Sequence, residues 1–157
     1  MKLSTKGRYA VTALTDIALN GGTAPVKLAE ISERQDISLA YLEQLFVKLR
    51  RAGLVESVRG PGGGYHLAKA PDDTRISDIM AAVDERLNAL GKSANESDAE
   101  GSREAFLTHA LWEQLSAHVH VFLNQTTIAD VIADRMVPCP AVPDFIGVVD
   151  EPEAIHP

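Results

Sequence analysis

Side chains able to grip a nucleic acid lie close together in this chain. The run Ser38-Leu39-Ala40-Tyr41-Leu42-Glu43-Gln44-Leu45-Phe46 is followed by Arg59-Gly60-Pro61-Gly62-Gly63-Gly64-Tyr65. On a helical wheel, Leu45, Phe46 and Leu49 fall within about 60° of Leu42 and form an apolar face. Ala40, Gln44, Val47 and Arg51 then occupy the opposite side, flanked by Glu43 and Lys48. A helix with a small, polar and basic outer face suits the major groove of duplex DNA, where amide, carboxylate and guanidinium groups meet base edges. Arg59, at the base of a glycine-rich tip, suits a phosphate or the minor groove. Lys48, Arg50 and Arg51 suit phosphates or plain solvation. The competing reading of the whole face is a helix side that merely faces water.

These side chains need elements to hold them. Tyr9, Ala10, Ala13, Leu14, Ile17 and Ala18 recur at helical spacing, which predicts a helix over Thr5–Asn20 stopped by Gly21-Gly22. A short helix is expected over about Lys27–Arg34, burying Leu28, Ile31 and Ala29. Asp36-Ile37 makes the turn, and Ser38 is placed to cap the next helix with its hydroxyl. That helix runs to about Ala52, with Gly53 at the left-handed C-terminal position. Leu54–Val58 and Tyr65–Ala68 are β-prone runs whose Gly-rich connection reads as a hairpin loop. A phosphate-binding nucleotide loop is the rival, but no Gly-Lys-Ser/Thr follows it. Ser77–Val83 is a further short helix with Ile79, Met80 and Val83 inward.

Beyond it the periodicity dissolves from about Arg86 to Arg103, a polar stretch that should be mobile. Order is expected again in a long helix over about Glu104–Asn124. Leu107, Leu111, Leu115, Val119, Phe122 and Leu123 make one stripe there, with Trp112 beside it. A lone stripe of this length is expected to pair with its twin. Thr127 caps a last helix over Ile128–Met136, and the tail from Pro138 is expected to be loose. The expected fold is therefore mainly α with a small β-hairpin. A winged helix-turn-helix domain covers 1–84, and a sensor-type loop covers 85–103. The dimerisation helix and short final helix cover 104–136, and the tail covers 137–157.

Net charge is −7, but it is unevenly spread: residues 1–75 carry +3 and residues 76–157 carry −10. A basic first half can meet phosphates while an acidic second half stays clear of them. Charge alone does not decide the matter. One cysteine excludes an intrachain disulfide framework and fits a reducing compartment. No segment has the length of a signal peptide or membrane span, so a cytoplasmic protein with no membrane partner is expected. No nucleophile elbow, metal-ligand spacing or nucleotide loop appears, so an enzyme is not expected.

Several segments resemble the iron–sulfur cluster regulators of the IscR type, a family of bacterial winged-helix repressors. They are Lys6-Gly7-Arg8-Tyr9-Ala10-Val11, Ile37-Ser38, Tyr41 to Phe46, Val58 to Tyr65, Ala82-Val83-Asp84-Glu85 and Leu107-Thr108-His109-Ala110-Leu111-Trp112. The resemblance implies a homodimer on a two-fold-related operator. It places base-reading positions on Ser38, Glu43 and Gln44 and a wing contact on Arg59. Gln can pair with adenine N6/N7, and Glu can accept from cytosine N4. The full set expected to face DNA is Ser38, Ala40, Tyr41, Glu43, Gln44, Lys48, Arg51, Arg59 and Gly60.

The resemblance also implies a sensor that this chain departs from. Regulators of that type hold a 2Fe–2S cluster with three loop cysteines and the histidine of the Leu-Thr-His motif. Residues 86–106 contain no cysteine, Phe106 stands where the last belongs, and only the histidine remains, as His109. Three readings stay open. A cluster could be held by unusual ligands, with Cys139 and His109 as candidates; the dimer could act without metal; or Cys139-Pro140 could answer to haem. His109 and His120 share a helix azimuth but stand ~16 Å apart, and His118 points the other way. A multi-ligand site must therefore combine chains or recruit the tail. His66 and His156 have no case. A winged helix that binds another protein through its acidic half is the alternative of a different class.

Overall fold

The computed structural model describes residues 4–83 and 102–136. The first helix, α1, spans Thr5–Asn20 and buries Ala10, Ala13, Leu14 and Ile17, as their spacing requires. Helix α2 spans Leu28–Gln35 and buries Ile31. Leu28 is half-buried and Ala29 is exposed, so the expected burial of Ala29 is corrected. Eight residues give a helix little more than two turns, and its inward stripe has room for few side chains. The turn to α3 is made by Asp36 in the left-handed conformation (φ 52°) and by Ile37, which enters the core.

Helix α3 spans Leu39–Arg51 and buries Leu42, Leu45, Phe46 and Leu49. Ser38 is its N-cap residue, but its hydroxyl accepts no capping bond. Its carbonyl instead accepts from the Leu42 N–H at 3.0 Å. Ser38 is exposed, so water can satisfy the first-turn amides that the hydroxyl does not. Gly53 follows in the left-handed region (φ 71°), as expected.

Strands β1 (Val55–Val58) and β2 (Gly64–Leu67) pair antiparallel, in a register running from Val55↔Leu67 to Val58↔Gly64. The hairpin is tied to the helices from behind. Val26 and Tyr65 exchange two backbone hydrogen bonds, at 3.0 and 2.8 Å. Gly64 permits this approach, because a Cβ there would stand 2.5 Å from the Val26 carbonyl oxygen. The Tyr65 ring also meets Phe46 edge-on, with centroids 4.8 Å apart. The wing is thus fixed to the core of α3.

Helix α4 (Ile76–Ala82) follows a 3-10 turn at Pro71–Asp73 and buries Ile76, Ile79 and Met80. Helix α5 spans Arg103–Gln125 and buries none of its residues. Helix α6 (Ile128–Ile132) opens with a capping box. The Thr127 hydroxyl accepts from the Asp130 N–H, and the Asp130 carboxylate accepts from the Thr127 N–H. It ends at Ile132 rather than at Met136, because Asp134 takes a left-handed φ of 51° and breaks the helical run. Ile128 is fully buried and α6 packs on α1, so the chain returns to the first core after α5. No described helix is long and apolar enough to cross a membrane. Of the sensor-type segment expected at 85–103, residues 85–101 lie outside the described residues, as does the tail with Cys139, while Ser102 caps α5 and Arg103 begins it.

Candidate nucleic-acid interface

The outer face of α3 has the composition the wheel predicts. Ser38, Ala40, Glu43, Gln44, Val47 and Arg51 are exposed, and Lys48 is half-buried. Val47 is 49% exposed. That is a high figure for an apolar residue centred in a well-packed helix, and it marks this side as one the core does not use. No side-chain hydrogen bond or ion pair among the described residues engages Glu43, Gln44, Arg51 or Arg59. Their donors and acceptors are available to an outside partner.

Tyr41 is placed differently from the rest. It is half-buried, and its ring meets Tyr9 of α1 edge-on, at 5.7 Å and 89°. The pair braces the start of α3 against α1. Arg59 and Gly60 are exposed at the hairpin tip, where Gly60 has φ 109° and its carbonyl accepts from the Gly63 N–H at 2.9 Å. A non-glycine residue at Gly60 would be strained, so the tip keeps its narrow turn only with glycine there.

One polar assembly escaped sequence reasoning. Asp16 lies on α1 with its side chain fully buried, and Arg34 binds it through two nitrogens, Nε at 3.0 Å and Nη2 at 2.6 Å. Gln35 Nε2 adds a third bond at 2.7 Å. Burial pushes the Asp16 carboxyl up, but the Arg34 and Gln35 bonds and the Arg34 charge together hold it below its ordinary value. The clamp fastens the end of α2 to α1, directly before the turn that aims α3. A carboxylate three residues after Ala13, at the edge of the α1 apolar stripe, was the available signal. No buried side-chain nitrogen or oxygen among the described residues lacks a partner.

Of the two metal candidates, His109 alone lies among the described residues. His109 is half-exposed on α5, and its Nδ1 stands 3.7 Å from the Glu113 carboxylate one turn on. Among the described residues, no three His, Cys, Asp or Glu side chains gather to hold a metal ion. Cys139 lies outside those residues.

A recognition helix braced by a first helix and flanked by an anchored glycine-tipped wing defines a winged-helix DNA-binding protein. Comparison with known proteins agrees. Residues 3–134 match the family model Rrf2, described as an iron-dependent transcriptional regulator, and the chain belongs to the Rrf2 family. It is 62% identical over 154 residues to the HTH-type transcriptional regulator IscR of Cereibacter sphaeroides, covering 96% of this chain and 99% of that one. Among solved structures it is similar to T. potens IscR, with a TM-score of 0.68 and 40% identity over 85% of this chain and 88% of the other. It is also similar to CymR, the global cysteine regulator of B. subtilis, with a TM-score of 0.71 and 34% identity over 85% of this chain and 98% of the other. The protein is an IscR-type transcription regulator, a DNA-binding and non-enzymatic class.

Proposed function

We propose that the protein is a homodimeric, sequence-specific repressor of iron–sulfur and iron-metabolism genes, with Ser38, Glu43 and Gln44 at base edges and Arg59 in the adjacent minor groove. The observation that carries the reading is the outward polar face of α3, where Glu43, Gln44 and Arg51 are exposed and unengaged, beside a wing anchored to the same core. Ala40 and Gly60 let backbone approach DNA closely, while Lys48 and Arg51 meet phosphates. Tyr41 contributes by bracing the helix start and reaching the backbone.

The exposed stripe of α5 supports the homodimer. Leu107, Leu111, Trp112, Leu115 and Phe122 are between 39% and 58% exposed in the single chain. Matched stripes on two copies would remove that apolar surface from water.

The donor set does not fit the three-cysteine, one-histidine cluster of the IscR type, because the sequence holds one thiol. If iron is sensed through a 2Fe–2S cluster, its ligands must be unusual, and Cys139 with His109, drawn from both chains, are the candidates. The similarity to IscR and to an iron-dependent family favours iron sensing over the metal-free and haem readings.

Two experiments test this. A duplex selected by the protein from a randomised pool supplies the operator. Gln44→Ala should relax base preference at particular positions by about 1–3 kcal/mol each. Arg59→Ala should weaken binding and flatten its salt slope by about 0.9. If both variants bound the selected duplex like the unaltered protein, the docking would be wrong. Anaerobic purification with a visible spectrum, iron and acid-labile sulfide, beside Cys139→Ala, tests the sensor. Absorption lost in the variant assigns Cys139 as a ligand. A colourless, iron-free dimer that binds DNA, unchanged after reconstitution, assigns a metal-independent regulator.

A further inference from the structure

Helix α5 is fastened to the winged-helix unit at one end. Near its last turn the chain forms a short antiparallel bridge, Arg75↔Thr127. The Ile76 N–H donates to the Thr126 carbonyl at 3.0 Å, and the Ile128 N–H donates to the Thr74 carbonyl at 2.9 Å. Two side chains extend this joint. Arg75 Nη1 donates to Asn124 Oδ1 at 2.8 Å, and Asn124 Nδ2 donates to Ser77 Oγ at 3.3 Å. Asn124 thus uses both ends of its amide to link α5 to the start of α4. Toward its other end α5 is exposed along its length, from Ser102 to Leu115 without interruption.

The leverage is large. A helix of 23 residues is about 34 Å long. A tilt of about 10° at its root would therefore displace the far end by about 6 Å. Two half-sites lie about 34–36 Å apart on duplex DNA. One base-pair step is about 3.4 Å. If α5 carries the dimer contact, a few degrees at this joint shift the recognition helices by one such step.

We propose that Asn124, held by Arg75 and Ser77, is a positioning residue that sets the spacing between the two half-sites the dimer accepts. This rests on the homodimer reading above. It acts through the angle of α5 and touches no DNA itself. Arg75 is exposed and Asn124 half-buried, so the joint can be altered with little loss of core.

The test uses the full chain and selected duplexes in which the half-site separation is lengthened or shortened by one base pair. Binding to a duplex carrying a single half-site is the reference, and light scattering reports the dimer. Asn124→Ala and Arg75→Ala should remain dimeric and bind the single half-site like the unaltered protein. Their preference for the selected spacing should fall, from roughly tenfold to roughly twofold for Asn124→Ala. Arg75→Lys, which keeps a donor within reach of the amide, should restore most of that preference. Unchanged spacing preference in Arg75→Ala and Asn124→Ala would overturn the proposal. So would loss of the dimer in these variants, because the joint would then assemble α5 rather than angle it. A monomeric unaltered protein would instead remove the homodimer reading on which the proposal stands.

Discussion

The winged-helix unit and α5 are built on opposite terms. In the first, every apolar stripe finds a partner within the chain: Leu14, Ile31, Phe46, Leu49, Ile79 and Ile128 are each fully buried. The one buried carboxylate among its described residues, Asp16, is met by Arg34 and Gln35. In α5 most apolar residues stay in water, with Phe106 75% and Leu107 58% exposed, and only near its end does Leu123 pack against the core. The stability of the first region is therefore a property of one chain. On the homodimer proposed above, that of the second depends on the copy that covers it, and so on concentration. The polar outer side of α3 shares that outward exposure, but its character suits a polar partner.

The contrast can be broken most forcefully at Phe46. Phe46→Ala should cost about 3–5 kcal/mol, seen by urea unfolding and independent of protein concentration. It should also loosen the wing, because the Tyr65 ring rests on Phe46. A concentration-dependent loss would contradict the assignment of this core to a single chain.

Next in size is the Asp16 clamp. Asp16→Ala should cost about 1–2 kcal/mol rather than the larger loss expected of a wholly buried pair, because Arg34 is partly solvated. The Arg34 side chain is 38% exposed. The folded carboxyl titrates below its ordinary value, so its contribution is complete above the unfolded value of about 3.9. It is then lost as pH falls through the lower folded value. Urea midpoints of the unaltered protein and Asp16→Asn, compared at pH 7, 5 and 3, should converge only at the acid end. A constant gap across that range would argue against the charged pair.

On α5, Leu111→Ala should weaken self-association about tenfold while leaving the unfolding of the dilute chain unchanged. Sedimentation across a concentration series reads the first effect and urea unfolding the second. The smallest expected effect is at the α6 cap, where Thr127→Ala should cost about 1 kcal/mol of stability. Because α6 closes the single-chain core through Ile128, that loss should not vary with concentration.

Most helices and the hairpin were legible in the sequence, because apolar spacing and punctuating glycines are local signals. Periods of three and four residues drew α1 and α3 with their buried faces, and the same wheel exposed Gln44, Val47 and Arg51. The Gly-rich run likewise announced the hairpin that carries Arg59. Ser38 shows the limit of even a local rule: its position at the cap was readable, but its hydroxyl bond was not made. Periodicity says which side of a helix avoids water, not which distant group will meet it. Only the tertiary structure joined Asp16 to Arg34 across 18 positions, tied Val26 to Tyr65, and returned Ile128 to the first core. It also brought Arg75 to Asn124 across 49 positions. Those pairings depend on how whole elements pack, because a hydrogen bond forms only where two separately placed backbones bring its ends within about 3 Å.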